Sequence, residues 1–114
     1  MDKPNPANPT GPVKLSNGIY VVGVTVSNRA KSFQRKDGSG VSVVVEHEIA
    51  LQPGVAVWQR YFDPKKDTVV HVEGENVTEF PKLKEFQSVT VKAARLRTDE
   101  HTGQVIIKGG ELLA

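Results

Sequence analysis

Along most of this chain, hydrophobic residues recur at every second position. From Gly18 onward, Tyr20, Val22, Val24 and Val26 fall in one register and Ile19, Val21, Gly23, Thr25 and Ser27 in the other. That is the period of an extended strand, whose successive side chains point to opposite faces. A first strand is predicted over about residues 18–34, long enough to require a bend or bulge, with Gly23 as the bend point. Arg35 to Gly40, RKDGSG, reads as a turn. In the second strand Val41, Val43, Val45, His47, Ile49 and Leu51 share one face, and Ser42, Val44, Glu46, Glu48 and Ala50 share the other. Gln52-Pro53-Gly54 then turns the chain into a third strand, VAVWQRYF, at 55–62. Asp63 to Asp67 is a further turn, and TVVHV at 68–72 is a short β-rich piece. Residues 74–86, GENVTEFPKLKEF, are the least regular part, with a turn of helix expected around Lys82 to Phe86. A fourth long strand is expected over 87–97, a hairpin loop over Thr98 to Gly103, and a last strand from 104 that Gly109-Gly110 interrupts.

Three meandering strands, an irregular connector and a terminal hairpin make up the layout of an all-β, five-stranded, partly open Greek-key barrel, the OB fold. The connector falls where such barrels place a helix or loop between their third and fourth strands. An SH3-like barrel or a small sandwich fits the same strands less well.

At 114 residues the chain is one domain, large enough to bury a core without a metal or disulfide. Residues 1–12 hold four of the seven prolines and read as an extended arm, with the folded domain expected over 13–114. The chain contains no cysteine, which excludes disulfides, thiolate catalysis and Cys-based zinc sites. His47, His71 and His101 are too scattered for a metal motif. No apolar run approaches the roughly 20 residues that span a bilayer, and the N-terminus has no signal-peptide pattern. A soluble, cytoplasmic protein with no membrane partner is expected.

Net charge is only +2, but it is unevenly spread. Arg29, Lys31, Arg35 and Lys36 lie within eight residues around Phe33. Lys92, Arg95 and Arg97 form a second basic group, while Glu73, Glu75, Glu79 and Glu85 gather between them. Cations neutralise a phosphate chain, and an aromatic ring offers a base a face to stack on. Phe33 suits either an exposed stacking role or a core role. Trp58, with Arg60 on its own face, suits a base-binding surface or a packed core; Tyr61 lies on the equally mixed opposite face. Arg95 and Arg97 share a face, with Val91 and Ala93 before them on it, and suit phosphate binding or ion pairs with glutamates.

No catalytic constellation is evident. Glu46 and Glu48 lack a convergent second group for acid–base work. Asp37-Gly38-Ser39-Gly40 lacks the Gly-Lys-Ser/Thr ending and following helix of a phosphate loop. Neither an enzymatic activity nor a cofactor or metal is expected.

In its short length, its basic hairpin (Arg29, Lys31, Arg35, Lys36, Gly38, Gly40) and its C-terminal hairpin with Arg95-Leu96-Arg97, the chain resembles the OB-fold single-stranded DNA-binding proteins. It looks closest to the small helix-destabilising proteins of filamentous phages. The resemblance covers roughly residues 18–113 by layout. It implies sequence-independent binding of single-stranded DNA, with RNA open to the same chemistry, during DNA replication. It also implies a homodimer that coats strands cooperatively. The expected nucleic-acid residues are Arg29, Lys31, Phe33, Arg35, Lys36, Trp58, Arg60, Tyr61, Lys92, Arg95 and Arg97. A structural or adaptor domain that binds protein through an exposed Val44, Phe62 or Ile106 is the alternative.

Overall fold

A computed structural model describes residues 17–113 of the chain, so the arm expected over 1–12 lies outside the described residues. The fold is all-β. Its strands are β1 (Ile19–Gln34), β2 (Val41–Ala50), β3 (Val55–Phe62), β4 (His71–Glu73), β5 (Asn76–Glu79), β6 (Ser88–Thr98) and β7 (Val105–Leu112). Five of them close into a barrel in the order β1-β2-β3-β7-β6, and β4 and β5 form a separate two-stranded sheet. The barrel is of OB type, with β3 and β7 parallel and the other neighbours antiparallel. It is closed rather than partly open, because β1 pairs on both sides.

That double duty explains the length of β1. Ile19 to Val24 pair with β6, and Val24 to Gln34 pair with β2. The register slips between Thr25 and Ser27, so the bulge comes two residues after the expected Gly23. Gly23 serves close approach instead: a Cβ there would lie 2.4 Å from the Ala50 carbonyl oxygen and 2.6 Å from Ile49 Cγ2. Beyond the bulge, β1 and β2 continue as a long basic hairpin.

Alternation sends Val21, Ile49, Ala56, Trp58, Val89, Val91, Ala93 and Ile107 into the main core. Each large apolar side chain buried this way contributes about 1.5–3 kcal/mol relative to exposure. A second cluster, Val43, Val45 and Val70, fills the inside of the hairpin extension, with Phe62, Val72, Val77 and Phe80 packed against it. The β4–β5 hairpin of the connector therefore packs against the inside of this extension, where Ser32 Oγ also donates to Glu75 O at 2.8 Å. Lys82 to Phe86 form no helix. Thr25 takes hold of this stretch: its amide donates to Gln87 O at 2.9 Å, its carbonyl accepts from Phe86 N at 2.7 Å, and its hydroxyl donates to Lys84 O. Those bonds hold Phe86 at φ 61°, a conformation a bulky side chain rarely adopts, and leave its ring 73% exposed.

Gly109 and Gly110 do not end the last strand; β7 runs through both at positive φ. A face switch occurs here. Val91 and Ala93 point into the core, yet two residues on Arg95 pairs with Lys108, which stands over the exposed Tyr61 ring. Val91 and Ala93 thus do not share a face with Arg95 and Arg97. Val44 and Ile106, offered as exposed docking residues, are buried, and Phe62 is half-buried against the second cluster.

Candidate nucleic-acid interface

Strand register assembles the site from residues far apart in sequence. Arg29 pairs with Glu46, Glu46 with Gln59, Gln59 with Lys108 and Lys108 with Arg95. The result is one polar row across all five barrel strands, on the face away from the core. In an adjacent row Lys31 pairs with Val44 and Val44 with Tyr61. In another, Arg97 pairs with Ile106, itself beside Val57. The basic hairpin and the Arg95–Arg97 segment are thereby joined across one surface.

Tyr61 is its aromatic centre. The ring is 53% exposed. The Phe33 ring meets it edge-on at 6.2 Å, and Lys108 Nζ lies 5.5 Å from its centroid. Edge-to-face packing and the nearby ammonium hold the ring while leaving part of it open. Phe33 also remains exposed. Arg95, Arg97 and Lys108, with Leu96, line a depression of about 560 Å³. Among the described residues Lys31, Lys36, Arg95 and Arg97 form no ion pair, so these cations are available to a polyanion.

Glu46 is the acid within the row. Its Oε1 accepts from Arg29 Nε at 2.7 Å and its Oε2 from Gln59 Nε2 at 2.8 Å. Partial burial works against its ionisation, but these two donors and the charges of Arg29 and Lys31 outweigh it and hold the carboxyl below its usual range.

Four of the expected residues stand elsewhere. Trp58 is 2% exposed, lies in the main core and donates its Nε1 proton to Gly109 O at 3.0 Å, so its ring offers no face to a base. Arg60 points inward with it: the guanidinium sits 4.7 Å from the Trp58 ring centre and 5.2 Å from that of Phe62. Arg35 is committed within the hairpin, donating to Ser42 Oγ at 2.7 Å and pairing with Asp63 Oδ2 at 3.2 Å. Lys92 pairs with Tyr20 and Glu111, outside the row. Two contributors were not anticipated. Gln59 enters the row through the β2–β3 register opposite Glu46, and Lys108 through the parallel β3–β7 pairing. The signal available for Lys108 was the OB connectivity itself, which sets the end of the last strand beside the third.

Beneath the face runs a buried polar relay. His47, fully enclosed, donates from Nδ1 to Asn28 Oδ1 at 2.7 Å and accepts at Nε2 from Arg60 Nη1 at 3.2 Å. Asn28 in turn clasps the Leu83 backbone, accepting from its N–H at 3.0 Å and donating to its carbonyl at 2.9 Å. Burial and then the Arg60 charge pull the His47 pKa from 6.5 down to about 4. The unfolded chain therefore binds a proton through a window in which the native state does not, and stability falls as pH drops from 6.5 toward 4. The shift corresponds to about 3 kcal/mol in full. Urea titrations at pH 7 and 4.5 should show wild type losing about 2–3 kcal/mol more than His47→Gln. Equal losses would remove His47 as the cause.

Among the described residues, no three His, Asp or Glu side chains gather to hold a metal ion, and no helix is long and apolar enough to cross a membrane. Comparison with protein-family models, curated proteins and solved structures found no match for this chain.

Proposed function

We propose that this protein binds and protects single-stranded DNA, without enzymatic activity and largely without regard to sequence, through the face spanning β1, β2, β3, β7 and β6. The observation that carries this reading is the register that sets Arg29, Lys108 and Arg95 in one row, with Lys31, Arg97 and the exposed Phe33–Tyr61 pair beside it. Arginine and lysine neutralise phosphates, while aromatic rings stack on any base, which makes such binding sequence-tolerant. RNA offers the same groups. A role in DNA replication in a bacterial or phage-infected cytoplasm follows from the resemblance of the layout. Fluorescence anisotropy with labelled strands tests the reading: a single strand should bind more tightly than a duplex of equal length, because only its bases are open to Tyr61 and Phe33. Equal or tighter duplex binding would contradict it.

A homodimer belongs to the same proposal. Val22 and Val24 are exposed on the outside of β1, paired with the neutral Thr90 and Ser88, and the exposed Phe86 follows at the end of this strip. Exposed apolar strips of this kind mark interaction surfaces. The strip lies on the β1–β6 pairing before the β1 bulge, whereas the cationic row meets β1 at Arg29, beyond the bulge. Sedimentation velocity should give a dimer for wild type and a monomer for Val22→Asp; a monomeric wild type would remove the dimer.

A further inference from the structure

A strand-coating surface has no evident use for a carboxylate at its centre, and Glu46 repels the phosphates that its neighbours attract. Its surroundings suit something else. The side chain is only 16% exposed, against 65% for Arg29. With Arg29, Ala30 and Lys31 it lines a cavity of about 240 Å³. That is below the roughly 300–1,000 Å³ of a site for a drug-sized ligand, so it suits one ring rather than a whole nucleotide. Each carboxylate oxygen receives one hydrogen bond and keeps a lone pair, because a carboxylate has about four acceptor sites. A neutral ring carrying an N–H donor satisfies that site, whereas a phosphate does not.

The partners of Glu46 narrow the choice further. Arg29 uses Nε for Glu46, and no hydrogen bond to its terminal nitrogens occurs among the described residues. Those nitrogens are donors beside an acceptor. Cytosine presents the complement: an amino group next to a ring nitrogen and a carbonyl oxygen. Thymine and uracil carry their one Watson–Crick donor, the ring N–H, between two carbonyl oxygens, so donating it to Glu46 brings a carbonyl oxygen against the second carboxylate oxygen, whereas the cytosine amine has an acceptor on one side only. Gln59 and Tyr61 extend the network, the Tyr61 hydroxyl donating to Gln59 Oε1 at 3.4 Å. This ties the carboxylate to the aromatic centre of the face.

We infer that Glu46, flanked by Arg29, accepts a hydrogen bond from the exocyclic amine of a base, biasing this face toward cytosine and against thymine or uracil. The bias presupposes the strand-binding role proposed above. The direct test is anisotropy with labelled oligo-dC and oligo-dT of equal length, using wild type and Glu46→Gln. Wild type should bind oligo-dC about five- to ten-fold more tightly, the lower part of the range for side-chain discrimination between bases. Glu46→Gln should bring the ratio near one, chiefly by strengthening oligo-dT binding. Equal affinities in wild type, or a variant that strengthens both strands alike, would overturn base recognition while leaving strand binding intact. Failure of wild type to bind either strand would overturn the strand-binding role and this inference together. An NMR titration of wild type keeps the test independent of how the variant folds. The Gln59 side-chain amide should shift with deoxycytidine monophosphate and stay still with thymidine monophosphate; equal shifts would count against the inference.

Discussion

Trp58→Ala is expected to destabilise the fold by about 3–5 kcal/mol, the range for truncating a large buried aromatic. Net stabilities are only about 5–15 kcal/mol, so much of the variant should be unfolded under mild conditions. The size of the effect follows from the surroundings of the ring. Trp58 packs in the main core with Ile49, Ala56 and Ile107. It also supplies the surface on which the Arg60 guanidinium rests and a neighbour 5.3 Å from the His47 ring. Removing it leaves a cavity, orphans the Gly109 carbonyl and strips a cation of one aromatic face. Trp58→Phe refills most of the volume without the indole N–H and should cost less. Urea denaturation measures both. A Trp58→Ala variant as stable as its parent, with weakened strand binding, would return the ring to the surface.

The strands were legible because period-two alternation persists in the sequence wherever one face is buried, and the basic hairpin was legible because its turn is local. The faces of β3 were harder. VAVWQRYF is mixed on both sides, and an arginine between Trp58 and Phe62 reads as surface until His47 and the two rings are seen to enclose it. Arg35 looked as open as Lys31, since its partner Asp63 arrives from another turn 28 residues on. The switch of face between Ala93 and Arg95 depends on the backbone of Gly109 and Gly110, which no hydrophobic pattern encodes. Lys82 to Phe86 were expected as a helical turn because local spacing could not register the hold that Thr25, some 60 residues earlier, has on them.

The salt dependence of single-strand affinity tests the central claim most directly. Each neutralised phosphate on a single strand contributes about −0.7 to the slope of log affinity against log salt. If Lys31, Arg95, Arg97 and Lys108 each neutralise one, replacing all four by alanine should flatten the slope by about 2–3 units and weaken every sequence alike, because phosphate contacts carry no base information. Stability should change little: Lys31, Arg95 and Arg97 are exposed, and Lys108 only half-buried. The account predicts a steep slope for wild type and one flatter by about 2–3 units for the quadruple variant. A variant that binds single strands with the parent's affinity and the parent's slope would contradict it.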